Sequence, residues 1–407
     1  MKLIVESFQH HEESFFVGLV CKQWNSIIIP NKKLKRVDVL CYYAMYGSIS
    51  SLKLLRTIFK FVSFKCSKTI DHKFSNDKKF FCEFFFENAS QVALEWSWNE
   101  IQVLSFKKAD LIKWFACGAA HRGLLDLLKS IPELQLSSLL TMMAARGGHL
   151  EVLQWLRSNG CEWDSDTCSS AAYRGHLHVL QWARSNGCDW NSDTCKEAAY
   201  AGHLEVLKWA RSSGCEWDSS TCSSAAYGGN LEVLQWAKNN GCEWDSSICS
   251  NAAYAGHLHI LQWAKNNGCG WDGDTCANAA LGGYLEVLQW ARSNGCEWDS
   301  VTCSSAARGG HLQVLQWARS NGCDWNRNTC KEAAKEGHLD VLQWARANGC
   351  DWDSDTCKEA AYRGHLKVLQ WARSNGCDWD SDTCRFAAQK GHFEILQWAK
   401  DNGCEEQ

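Results

Sequence analysis

Cysteine, histidine, tryptophan and tyrosine are the residues of this 407-residue chain whose spacing invites a chemical reading. Cys161 and Cys168, Cys188 and Cys195, and their successors recur as C-x6-C. Repeated thiolates raise zinc, but paired zinc cysteines are usually separated by two to four residues, and no further pair lies close enough in sequence to complete a tetrahedron. Equivalent cysteines, such as Cys161 and Cys188 or Cys168 and Cys195, fall on successive units. The spacing of packed helices, roughly 10 Å, exceeds the about 7 Å limit for a disulfide. Packing is the expected role, with cysteine acting as a small buried hydrophobe. A metal-binding cysteine ladder is the distant alternative.

Histidine follows glycine at 149, 176, 203, 257, 311, 338, 365 and 392, while Asn230 and Tyr284 hold the same slot. A ladder of ligands or proton carriers would not survive those two replacements in its middle. The expected role is a hydrogen bond tying adjacent loops. Tryptophan forms two columns, one at 155, 182, 209 and onward, the other at 163, 190, 217 and onward. Such columns can stack bases or cage a cation. A net charge of -4 removes the electrostatic half of base stacking, so both columns are expected in packing, and neither nucleic acid nor an anionic membrane surface is an expected partner. Acidic stretches such as Asp164 to Asp166 are helix openers and match no calcium loop. The phosphate-binding, nucleophile-elbow and zinc-protease motifs are absent from the sequence. No catalytic residue, cofactor or metal is therefore expected, and the chain reads as a non-enzyme.

What positions these residues is a strict period. A glycine recurs at 160, 187, 214, 241, 268, 295, 322, 349, 376 and 403, with no slip between one and the next. Periods of roughly 20 to 50 residues mark solenoids, in which each unit contacts only its neighbours. In the unit CDWNSDTCKEAAYAGHLEVLKWARSSG, from Cys188, the residues Asn191, Ser192 and Asp193 are helix openers. They predict a short first helix from about Thr194 to Gly202, whose glycine tolerates the positive φ of a helix stop. A second helix, Leu204 to Ser212, places Val206, Leu207, Trp209 and Ala210 on an arc of roughly 160°, with Glu205, Lys208 and Arg211 outside it. So wide an arc needs cover on more than one side. Neighbouring units must supply it.

The residues TCKEAAYAGHLEVLKWARSSGCEWD resemble the ankyrin repeat, position by position from Gly202 to Asp218. Cys195 stands where that family has proline, one residue is missing before Ala198, and about five are missing between Asp218 and Thr221, where the family builds its β-hairpin finger. The resemblance implies an all-α solenoid of ankyrin-like helix pairs with the fingers cut to tight loops. Short-finger arrays with paired cysteines look like those of large DNA viruses of protists and of some protists. Residues 144–407 hold the regular repeats, and 37–143 hold divergent ones: HRGLLDLLKS with Gly123, CEFFFENASQVALEW with Cys82, Ala89 and Trp96, and a weaker candidate around Gly47.

Residues 1–36 include HEESFFVGLVCKQWNSII, which resembles the second half of an F-box through Leu19, Val20, Cys21 and Trp24. The upstream helix with its leucine-proline start is missing. An F-box would imply docking through Leu19, Val20 and Trp24 to the adaptor of a cullin-type ubiquitin ligase, with the repeats holding the protein to be modified. A capping helix pair with a buried tryptophan is the equal alternative.

Comparison among repeats shows which positions the scaffold leaves free. Slots after the TC pair run through Ser169, Lys196, Ser223, Ser250, Lys331 and Lys358. Slots before the helix stop run Tyr173, Tyr200, Tyr227, Tyr254, Leu281, Arg308, Lys335 and Tyr362. Both lie on the first helix, which in ankyrin-like arrays lines the concave face. Tyrosine and arginine are common binding anchors. Tyr173, Tyr200, Tyr227 and Tyr254 with Arg174 are thus the candidate strip for a protein partner, supplemented by Lys196, Arg308, Lys331, Lys358 and Tyr362; packing of the tyrosines between helices is the other reading. Phe393, Ile395, Leu396 and Trp398 lack the polar replacements of a terminal cap, which predicts self-association or a missing segment. The opening MKLIVESFQHHEES has no secretory apolar region, and no run of 18 apolar residues occurs. A cytoplasmic protein is expected, in the host cytoplasm if viral.

Overall fold

A computed structural model describes residues 108–132, 134–271 and 273–404. Leu19, Val20 and Trp24, and the segments around Gly47, Cys82 and Trp96, lie outside the described residues. Every regular element among the described residues is a helix, and none of these helices is long and apolar enough to cross a membrane. The described residues divide into two compact units, one formed by the residues up to Ala171 together with His178–Asp189, the other by Ala172–Leu177 and the described chain from Trp190 onward.

In the second unit the chain alternates first helices (Ser192–Ala201, Ser219–Tyr227, Ser247–Ala255, Gly273–Gly282, Ser300–Gly309, Arg327–Glu336, Ser354–Arg363, Ser381–Gln389) with second helices. These are Leu204–Ser212, Leu231–Asn239, Leu258–Asn266, Leu285–Ser293, Leu312–Ser320, Leu339–Ala347, Leu366–Ser374 and Phe393–Asp401. Each second helix packs on its own first helix, and consecutive first helices pack on one another in sequence order, as in an all-α solenoid. The second helix falls where its periodicity predicts. The first begins ahead of Thr194, at Ser192, because Asn191 itself caps it: the Asn191 side chain accepts the Asp193 amide hydrogen at 3.1 Å. Asp218, Asp299, Asn326, Asp353 and Asp380 repeat this cap, each of a kind worth about 1 kcal/mol.

Small side chains decide how closely first helices approach. Thr221, Cys222, Ala225 and Ala226 are each fully buried, as are Thr302, Cys303, Ala306 and Ala307 and the equivalents at 329, 330, 333 and 334. The helix then stops at a glycine in the left-handed region, Gly202 with φ +82°, where an added Cβ would also meet Asn230 Oδ1 at 2.5 Å. Geometry and contact both demand glycine there.

Second helices use large residues instead. Val206, Leu207 and Ala210 are buried, but Trp209, expected in the same arc, is only half-buried. It stands edge-on to the loop tryptophan Trp190 at 5.6 Å, and nine such pairs run from Trp163–Trp182 to Trp379–Trp398 among the described residues. Arg211, which the periodicity leaves outside the arc, closes this layer: its guanidinium lies 4.2 Å over Trp217 and donates to the Cys215 carbonyl oxygen at 2.7 Å. Loop tryptophans from Trp163 to Trp379 thus carry the chain's own cations on their faces, and the helix tryptophans meet them edge-on, so both columns are engaged in packing contacts.

The cysteines pair in a way that the sequence does not suggest. All twenty described cysteines are buried, and none forms a disulfide. The partner of a helix cysteine is neither the loop cysteine of its own C-x6-C nor the equivalent helix cysteine of the next unit. It is the next unit's loop cysteine: Cys195 with Cys215, Cys222 with Cys242, and so on. The loop cysteine also ties its helix pair together, since Cys242 Sγ donates to the Asp218 carbonyl oxygen at 3.3 Å.

In the first unit, Lys108–His121, Leu125–Lys129, Ser138–Gly147 and Leu150–Ser158 bury Phe115, Leu128, Leu140, Leu153 and Leu156. Gly123 has φ +73°, and a Cβ there would collide with His149 Nδ1, the same glycine stop and histidine contact as in the regular units. At the other end of the described chain, Ile395 is buried, Leu396 and Trp398 pack on Cys384, Ala399 and Cys404, and Phe393 is 70% exposed.

Candidate functional site

The histidine column is settled by its partners. His257, His311, His338 and His392 each place Nε2 at 3.1 to 3.2 Å from a carbonyl oxygen near the end of the preceding first helix, at Tyr227, Leu281, Arg308 and Tyr362. A carbonyl can only accept, so Nε2 carries the hydrogen. Asn230 Nδ2 donates to the Tyr200 carbonyl oxygen at 2.7 Å, which explains why asparagine serves in this slot. The bond anchors the tyrosine slot itself, one repeat back.

Burial pushes the imidazoles of His257, His311 and His365 down, although the carbonyl bond opposes it. The charged neighbours are few: His259 beside His257, His338 beside His311, and Glu336, His338 and Arg363 around His365. A base whose folded-state pKa lies below its unfolded value binds its proton more readily when unfolded, so its contribution is full above about pH 6.5 and is lost as pH falls. The thermal unfolding midpoint is expected to drop between about pH 7.5 and 5.5. The double variant His311→Asn, His365→Asn should flatten that dependence; an unchanged slope would remove the histidines from the account.

The tyrosine slots form one object. Tyr173 stacks on Tyr200 at 6.0 Å, Tyr200 on Tyr227 at 5.7 Å, and Tyr227 on Tyr254 at 5.8 Å, with interplanar angles of 14°, 25° and 16°. Tyr200, Tyr227 and Tyr254 are 36–38% exposed, and the Arg174 guanidinium lies 5.5 Å from the Tyr173 ring centre. Each ring packs against its neighbours in the ladder, and Tyr200, Tyr227 and Tyr254 remain partly exposed. Burial and the flanking phenols push the Tyr200 hydroxyl up, so it stays a donor.

Beyond Leu281 the same face is charged. Arg308 and Lys335 both approach Glu332, at 3.9 and 3.6 Å, and Lys331 meets Asp355 at 3.1 Å. Lys358 meets Asp380 at 2.9 Å, Asp355 at 3.5 Å and Asp382 at 3.9 Å. The Lys331 ammonium, hydrogen-bonded to it, holds the Asp355 carboxyl below its usual range, and Asp380 holds the Lys358 ammonium up. Lys196 pairs with Asp193 at 3.4 Å. The nominated lysines are therefore engaged within the chain, in pairs whose exposure keeps each worth about 0 to 1 kcal/mol. Tyr362 lies outside the ladder: it meets Phe386 edge-on at 5.8 Å and carries the Lys390 ammonium 4.4 Å from its ring centre.

Sequence comparison found the ladder's members but not their stacking. Phe386, in a slot that varies from repeat to repeat, completes the Tyr362 cluster together with Lys390. Among the described residues no group of three or more His, Cys, Asp or Glu side chains is placed to hold a metal ion. No family model matches the chain, and no curated protein matches it.

Proposed function

We propose that this chain is a protein-interaction scaffold of the ankyrin-like, short-finger kind, and that it binds an α-helical segment of a partner protein along the ladder Tyr173–Tyr200–Tyr227–Tyr254. The absence of strands from the loops among the described residues supports the short-finger reading. The observation that carries the choice of ligand is the rung spacing of 5.7–6.0 Å.

Four residues of α-helix rise about 6.0 Å, so a helix laid along the ladder offers one side chain per rung with almost no accumulating mismatch. Alternate residues of an extended strand repeat at about 6.6 to 6.8 Å and slip by roughly 2 to 3 Å across three intervals. The ring faces are spent on one another, leaving edges and hydroxyls for the ligand. Stacking also fixes the rings before binding, which lowers the ordering cost of association.

The test is selection of ligands by the full chain from two displayed libraries, one of stable helices and one of extended peptides. Enriched helices with apolar residues at i, i+4 and i+8 are the expected result. Enrichment confined to extended peptides would overturn the helical ligand.

A further inference from the structure

We propose that the nine Asn–Gly pairs that end the second helices, from Asn159–Gly160 to Asn402–Gly403, are spontaneous modification sites. Each is held closed while its repeat is packed and converts to aspartate or isoaspartate once that repeat opens, so that the opening is recorded in the covalent chain.

The reaction needs only the two residues and water. The glycine amide nitrogen attacks the asparagine carboxamide carbon: a C–N bond to glycine forms, the Cγ–Nδ2 bond breaks, and Nδ2 leaves as ammonia with the proton that the glycine nitrogen loses. Water then opens the five-membered imide at either carbonyl, leaving aspartate or isoaspartate with no change of oxidation state. Glycine is the favourable neighbour because it has no Cβ to crowd the attacking nitrogen. Nothing in the fold covers the pair: Asn186 and Gly187 are exposed, and a Cβ built on Gly187 would meet nothing within 4 Å.

Geometry, not burial, holds the reaction off. Asn186 Nδ2 donates to the Trp182 carbonyl oxygen at 2.8 Å, and the same bond recurs at 2.7–2.9 Å in all nine pairs. The nucleophile is tied as well, since Gly187 donates its amide hydrogen to the Arg184 carbonyl oxygen at 3.1 Å. Ring closure requires the glycine nitrogen to swing to the side of the asparagine Cβ. At the ψ of 14° to 20° of Asn159, Asn240 and Asn294 it lies beside the asparagine's own nitrogen instead. Both hydrogen bonds and the helix end must come apart first.

The product does not fit the place that the asparagine held. A carboxylate has no N–H to give the tryptophan carbonyl, and it adds negative charge at the negative end of a helix. Isoaspartate also inserts a carbon into the backbone just ahead of Cys188, whose amide donates to the Ala183 carbonyl oxygen at 3.0 Å and whose carbonyl accepts from Arg184 at 2.6 Å. Ser213 takes the asparagine slot in one unit, where the backbone bonds are kept, Ser213 to Trp209 at 3.0 Å and Gly214 to Arg211 at 3.1 Å. The helix end therefore forms without the carboxamide, and that unit carries no site.

The experiment incubates the full chain in mildly alkaline buffer, with and without guanidinium chloride, and follows each pair by peptide mass spectrometry. All nine pairs should convert in denaturant and at least about tenfold more slowly in buffer, because only the open fraction reacts. Leu234→Ala, which loosens the helix just before Asn240, should speed that site by about tenfold or more and leave Asn348 unchanged. Asn240→Asp should unfold at lower urea than Asn240→Ser, which copies the residue at 213. Equal rates in buffer and denaturant, acceleration of all nine sites alike by Leu234→Ala, no acceleration of Asn240, or an Asn240→Asp variant as stable as Asn240→Ser would overturn the proposal.

Discussion

The quadruple variant Tyr173→Ser, Tyr200→Ser, Tyr227→Ser, Tyr254→Ser is expected to keep its helical circular-dichroism spectrum and to lose helical ligands altogether. The fold survives because the core is made of other residues: Ala198, Ala199, Ala225 and Ala226, which precede the tyrosines in their helices, are fully buried, and so are Ala306, Ala307, Ala333 and Ala334, where arginine or lysine follows instead. Each lost stacking contact removes about 0.5 to 1.5 kcal/mol, small against an array closed by many leucines. Binding suffers far more. Interface tyrosines that act as anchors cost about 2 kcal/mol or more each on truncation, so the two central rungs alone should weaken a ligand by about a thousandfold. Calorimetric titration beside circular dichroism separates the outcomes. Loss of helicity would show the rings to be core, and unchanged affinity would move the binding face elsewhere.

Leu234→Ala should have the largest effect on stability. Leu234 has zero exposure in the second helix Leu231–Asn239, where truncation to alanine typically costs about 2 to 5 kcal/mol. Position matters as much as volume. In an array whose units contact only their neighbours, stability is a sum of unit and interface contributions, and weakening one interior unit uncouples those on either side. Urea unfolding is therefore expected to split into two transitions. Leu396→Ala, at a half-buried site in Phe393–Asp401, should shift a single transition only slightly. One undivided transition for Leu234→Ala, with a loss below about 1 kcal/mol, would contradict serial stacking.

The thiol and histidine columns look alike in sequence, as residues at one slot of a repeat, yet they differ in how far the sequence could be taken. Replacement of histidine by Asn230 already shows that hydrogen bonding, not ligation, is what the slot needs, and the carbonyl contacts agree. Cysteine varies nowhere in its regular columns, so comparison among repeats carries no information about its partner. Lys331 and Lys358 show a third case: their variability marks them as surface residues, but the carboxylates that approach them most closely, Asp355 and Asp380, come from the following unit.

By itself the sequence determined the period, the helix pair, the left-handed glycines and the boundaries of Leu204–Ser212, because each depends on the backbone preferences and apolar spacing of residues within one unit. Only the tertiary structure decided that helix thiols meet the loop thiols of the following unit, that Trp209 turns edge-on to Trp190, and that four tyrosines stack at 5.7–6.0 Å. Those pairings depend on the distance and angle between elements. That distance is set by how closely the alanine, cysteine and threonine faces of neighbouring first helices approach.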